Sequence, residues 1–136
     1  MTTTPLDTKA AVARLIEFLE TGAAPGGLFA PDLFLDLSLP QWRIQTATAE
    51  EAIAVRGSGH PFPGVVRVER IDQTAMGFII EFEEHWENEG QSWYCREMIR
   101  ADVVGDTIAE MSVYCTGDWD EAKQLEHASA VKLIRP

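Results

Sequence analysis

Between residues 74 and 117 the chain runs through three long segments of alternating apolar and polar side chains, TAMGFIIEFEEHW, WYCREMIRADVV and TIAEMSVYCTG. Two short connections, ENEGQS and VGDT, join them, each with a Gly close to an Asn or Asp. Such residues tolerate positive φ, so the pattern predicts two tight hairpins and a three-stranded antiparallel meander. Side chains alternate across a sheet, and a one-residue slip exchanges the two faces. Register therefore decides which residues reach any interior.

Pairing Trp86 with Trp93 places Glu84 opposite Cys95, Phe82 opposite Glu97 and Ile80 opposite Ile99. Pairing Val103 with Ile108 across the second connection places Ala101 opposite Glu110, Glu97 opposite Tyr114 and Cys95 opposite Thr116. The expected inner face then carries Phe78, Ile80, Phe82, Trp86, Trp93, Ile99, Val103, Ile108 and Tyr114, with Glu84, Glu97, Glu110, Cys95 and Thr116 among them. The expected outer face pairs Glu83 with Arg96 and His85 with Tyr94, and holds Met98, Arg100, Met111 and Val113. Charged pairs across strands stabilise a sheet mildly. Met, Tyr and Arg beside such pairs suit a subunit interface, and one layer of helices covers only one sheet face. A homodimer through the outer face is the expectation.

A chain of 136 residues has the size of one domain with one core. Its formal net charge of −11 argues against nucleic acid, which demands a basic patch, and against an anionic membrane surface. Cys95 and Cys115 point to opposite faces in the register above, which argues against a bridge and for free thiols in a reducing compartment. The beginning MTTTPLDTKAA has no apolar stretch of signal-peptide type, so a cytoplasmic protein is expected.

The rest of the chain supplies helices. Ala11, Val12, Leu15, Ile16 and Leu19 form a stripe at helical spacing over 6–21, and Gly22 stops it. One further helical turn fits around Leu28 and Phe29. PDLFLDLSLP alternates as a half-buried strand, and QWRIQT is placed to fold back on it. Thr48 and Glu51 make a capping box for a helix ending at Arg56 and Gly57. The loop SGHPFPG carries His60, and GVVRVERI leads into the meander. Asp118 and Glu121 predict a last helix over 119–130 that buries Ala122 and Leu125.

That order of elements resembles the NTF2-like superfamily, and within it the SnoaL-like and ketosteroid-isomerase-like proteins. The N-terminal helix, LFAPDLFLDLSLP, the capped middle helix and VVGDTIAEMSVY carry the resemblance. It implies an α+β, cystatin-like cone: a curved, mixed, mostly antiparallel sheet wrapped around N-terminal helices, with a pocket inside and dimers through the outer sheet face. The ketosteroid-isomerase-like general base, an aspartate at the end of the first strand, aligns with Leu37, and Asp36 points the other way. The Arg and Asp two residues apart in epoxide hydrolases of this fold meet adjacent Arg96 and Glu97 here. The acidic residue that cyclases often carry at the end of the last strand falls on Thr116.

The candidates that remain come from the residues themselves. Glu97 is expected mid-strand between Phe82 and Tyr114, where burial raises a carboxyl's pKa and suits it to acid or base work. Tyr114 is the expected hydrogen-bond donor and His60, over the pocket mouth, an auxiliary. Phe82, Glu84, Trp86, Trp93, Trp42, Cys95, Thr116 and Leu37 are the expected ligand-binding residues. The histidines show no metal-ligand spacing, and no phosphate loop or dinucleotide fingerprint occurs, so neither metal nor cofactor is expected. The leading reading is an isomerase, cyclase or dehydratase acting on an apolar small molecule. The alternatives are a non-catalytic binding protein for such a molecule and a dimeric protein–protein adaptor.

Overall fold

A computed structural model describes residues 7–136. Three helices, α1 (Lys9–Thr21), α2 (Ala49–Gly59) and α3 (Glu121–Ala130), accompany six strands. These are β1 (Phe29–Leu39), β2 (Trp42–Thr46), β3 (Gly64–Gln73), β4 (Gly77–Asn88), β5 (Gln91–Val104) and β6 (Thr107–Cys115). They form one curved sheet in the order β2-β1-β6-β5-β4-β3. Only β1 and β6 run parallel, and every other neighbouring pair is antiparallel. Helices α1 and α2 close the concave side, which makes the expected α+β cone. No helix among the described residues is long and apolar enough to cross a membrane.

The stripe of α1 is buried through Ala11, Leu15, Phe18 and Leu19, with Val12 and Ile16 at its margin. The expected start at Leu6 lies outside the described residues. Gly22, at φ 80°, turns the chain out of the helix and donates its N–H to Phe18 O. At α2 Thr48 caps the helix as expected, with Glu51 N–H donating to Thr48 Oγ1 at 3.1 Å, but Glu51 Oε1 accepts from that hydroxyl at 3.0 Å rather than from the Thr48 N–H of a full capping box. The helix runs past Gly57 to Gly59. Phe29, expected in a helical turn, already belongs to β1. QWRIQT folds back as expected, with Leu37 opposite Ile44.

The first hairpin has the expected register, with Trp86 opposite Trp93 and Phe82 opposite Glu97. Its two-residue turn has Glu89 at φ 52° and Gly90 at φ 75°, the primed geometry whose twist matches the flanking strands. Where β4 begins, Gly77 has no room for a side chain, because a Cβ there would collide with the Ala101 carbonyl oxygen.

The second hairpin corrects the sequence reading. Val103 does pair with Ile108, but Asp102 then pairs with Glu110, so Ala109 is an extra residue on β6. This bulge shifts everything after it by one. Ala101 faces Met111, Ile99 faces Val113, Met98 faces Tyr114 and Glu97 faces Cys115. Met111, Val113 and Cys115 therefore turn inward, while Glu110, Tyr114 and Thr116 turn outward. The reason is the core: the bulged register buries Met111 and Val113, whereas the regular one would bury Glu110 and Ser112.

A second correction concerns α3. Its N-cap is Asp120, whose side chain accepts from Lys123 N–H at 2.8 Å, not Asp118. The helix buries no residue; Ala122 and Leu125 are exposed. An isolated bridge between Tyr94 and Trp119 ties the segment before it to the sheet.

Candidate functional site

A cavity of about 420 Å³ lies between the concave face of the sheet and helices α1 and α2. Most of its wall is apolar, from Phe18 and Leu19 on α1 across Leu35 and Leu37 on β1 to Ile99, Met111 and Val113. One side is polar, where α2 delivers Arg56 and β4 and β5 deliver Glu84 and Glu97.

Arg56 sits near the end of α2 and reaches across to β4. Its Nη1 donates to Glu84 Oε2 at 3.0 Å and its Nη2 to Glu84 Oε1 at 2.5 Å. Nη2 also donates to the Leu19 carbonyl at 2.8 Å, which fastens α2 to the end of α1. A bidentate guanidinium–carboxylate pair holds both charges in fixed geometry. Glu84 is buried and Arg56 half-buried, with 4% and 14% of their side chains exposed. Burial pushes the Glu84 pKa up, but hydrogen bonds from Arg56 and Glu97 outweigh it and hold it below the usual range. Glu84 is anionic.

Glu97 is the opposite case. It lies two residues along β5 from Cys95, diagonal to Glu84, and only 8% of it is exposed. Burial and the neighbouring Glu84 charge drive its pKa well above the ordinary carboxylate value; Arg56 offsets this only in part. It is the protonated member of a carboxyl–carboxylate pair. Its Oε2 has no hydrogen-bond partner.

His60, just past α2, lines the same cavity, with its ring 4.3 Å edge-on from Trp86. Its Nε2 is buried without a partner. Burial and the Arg56 charge lower its pKa, so the imidazole stays neutral. Asp118, also in the wall, has its pKa raised by burial and by Glu84. Cys95 is buried, with its sulfur 4.0 Å from Glu84 Oε2, and Cys115 is half-buried beside it. Both thiols are free and on the same wall, which corrects their expected placement on opposite faces.

The structure thus brings together Glu97, His60, Glu84, Cys95 and Leu37 around one cavity. Phe82 is fully buried and Trp86 nearly so, as core behind the wall, and Trp93 stacks on Trp86 with centroids 6.4 Å apart. Three expected site residues lie elsewhere. Tyr114 is 63% exposed on the outer face, placed there by the bulge at Ala109. The Thr116 hydroxyl accepts from Arg96 N–H outside the cavity. Trp42 is 66% exposed on the edge strand β2. Asp36 points outward as expected, held by Arg43 at 2.8 Å and 2.5 Å. Sequence reasoning missed Arg56, Cys115 and Asp118. An Arg closing a capped helix is an ordinary C-terminal charge, so nothing in the sequence marked it as the partner of a strand carboxylate.

No family model and no curated protein matches the chain. Solved structures do match. An NTF2-like protein from Anabaena variabilis ATCC 29413 aligns with a TM-score of 0.63 at 18% identity, covering 79% of this chain and 85% of that one. A protein with the ketosteroid isomerase-like fold from Catenulispora acidiphila DSM 44928, solved in complex with trimethylamine, aligns at 0.64 and 14% identity. That alignment covers 81% of this chain and 88% of the other. A SnoaL-like protein from Jannaschia sp. CCS1 aligns at 0.60 and 15% identity over 97% and 99% of the two chains. Likeness at this level of identity shows the fold: the chain has the NTF2-like cone.

Proposed function

We propose that the cavity binds an apolar small molecule and that Glu97 and His60 move a proton on it, chemistry of the isomerase, cyclase or dehydratase kind. The observation that carries this reading is the unpartnered Oε2 of Glu97, buried in a wall that is otherwise mostly apolar. A buried polar atom without a partner costs stability, and a bound ligand is what would satisfy it. A neutral carboxyl offers both a donor and an acceptor. Handing its proton to a substrate oxygen leaves an anion, and the nearby Arg56 charge favours that anion. Neutral His60, with its own free nitrogen, is suited to take a proton. Two groups whose environments push their pKa values in opposite directions are the usual mark of an acid and a base.

The test is exchange of the α-hydrogens of cyclohexanone in D2O, followed by NMR. The chain should accelerate exchange over buffer, and Glu97→Gln should return it to the buffer rate. Exchange at the buffer rate with the intact chain would favour the second reading, a binding protein without chemistry. That reading draws support from Leu37, which stands where the resembling isomerases carry their base.

We also propose that two copies pair through the outer face and that the chain works as one domain in the cytoplasm. The outer face exposes Phe34, Val65, Met98 and Tyr114 among Arg96, Arg100 and their carboxylate partners. Free Cys95 and Cys115 suit a reducing compartment.

A further inference from the structure

Cys115 takes no part in the proton transfer proposed above, yet its surroundings are unusual for an idle thiol. It stands half-buried in the cavity wall at the end of β6. Gly117, at φ 85°, turns the chain so that its N–H points back at Cys115 Sγ, 3.4 Å away. The two sulfurs and a Glu97 carboxyl oxygen all lie within 4.8 Å of one another. The register explains the convergence: Cys95 and Glu97 share a face of β5, and Glu97 pairs directly with Cys115.

A backbone N–H aimed at the sulfur favours its thiolate. Cys95 donates its S–H to Glu84 Oε2 at 4.0 Å, and the neighbouring Cys115 and burial push its own pKa far up. Cys95 beside it and the Gly117 N–H bring the Cys115 pKa below the ordinary thiol value against the effect of burial. An independent observation points to a ligand here: Glu97, 8% exposed, keeps one oxygen unpartnered. Cys95 and Cys115 are diagonal on the ladder rather than directly paired, and both thiols are free.

We propose that Cys115 is a nucleophile that captures apolar α,β-unsaturated carbonyl compounds in the cavity, with Glu97 supplying the proton. The thiol proton leaves to solvent, and a sulfur lone pair forms a C–S bond at the β-carbon. The π electrons shift to give an enolate, which takes the carboxyl proton of Glu97. Glu97 is left as a carboxylate near Arg56 and regains a proton from solvent. The product is a saturated carbonyl thioether, and no oxidant or reductant is needed. The inference rests on the reading of Glu97 as a neutral acid.

The probe is 2-cyclohexen-1-one, incubated with the whole chain and followed by intact-mass and peptide mass spectrometry. One adduct is expected on Cys115, forming at least ~10-fold faster than in the urea-unfolded chain, as donor-stabilised thiolates do. It should vanish in Cys115→Ser and Cys115→Ala and persist in Cys95→Ser. Labelling of Cys95 instead, or of Cys115 no faster than in the unfolded chain, overturns the proposal. An NMR titration of Glu97 separates the two readings. An ordinary carboxylate pKa sinks the acid; a neutral Glu97 beside an unreactive Cys115 sinks this inference alone.

Discussion

Glu84 and Glu97 lie diagonally across β4 and β5, hydrogen-bonded to each other, and one carries a charge while the other carries a proton. The asymmetry comes from Arg56, which grips Glu84 with two hydrogen bonds. Like charges this close and this buried do not both ionise.

Stability should therefore fall as pH rises. Glu97 has a folded pKa above its unfolded one, so between the two the folded chain binds more protons than the unfolded chain. Stability declines through that window by up to ~1.4 kcal/mol per pH unit. Glu84 has the opposite sign: its contribution is present above its unfolded pKa and is lost as pH falls through its lowered folded value. Urea unfolding from pH 5 to pH 8 should show the decline in the native chain and its loss in Glu97→Gln.

Removing Arg56 strands Glu84. Arg56→Met should cost ~3–5 kcal/mol, the range for breaking a buried ion pair from one side. Arg56→Met with Glu84→Leu should recover much of that, because no buried charge is left alone. Urea midpoints of the two variants check this, and equal midpoints would contradict it.

Proton transfer should have a bell-shaped pH profile. His60 must be neutral and its pKa is lowered, so the acid limb should lie below the ordinary histidine value of ~6.5. Glu97 must be protonated, so the rate should fall as it ionises. His60→Asn should remove the acid limb along with most of the cyclohexanone exchange.

Tyr114→Phe should leave that exchange within ~2-fold of the native rate, a change small on the scale of general acid–base contributions. Its hydroxyl is on the far side of the sheet. Met98→Glu with Tyr114→Glu should instead split the proposed dimer, read as a halved mass by light scattering.

Gly77→Ala should destabilise by more than ~2 kcal/mol, since its Cβ would meet backbone rather than a movable side chain. Thermal unfolding measures the loss.

Much of this architecture was legible in the residues. The Glu89-Gly90 turn set the first hairpin, and with it the inward direction of Glu84, Glu97 and Cys95. The second turn was located but its strand was misread past Ala109, because a bulge of this kind leaves no local signature. Alternation alone fits both registers of TIAEMSVYC; only packing against the helices chooses between them. Arg56 was invisible for a related reason. Its partner is 28 residues away, and no spacing rule links a helix end to a strand that far along the chain. α3 misled in the other direction, with helical capping and an apolar Leu125 but no surface to receive it.

The extra residue at Ala109 has a consequence for how this wall tolerates change. It is slack in the strand: take it out, and Ile108 and Met111 still face the same way, now on a straighter ladder. The inward-facing set from Met111 to Cys115 is thus buffered against a one-residue loss near the turn. The same loss at Ser112 would carry Val113 and Cys115 through the sheet to the opposite side.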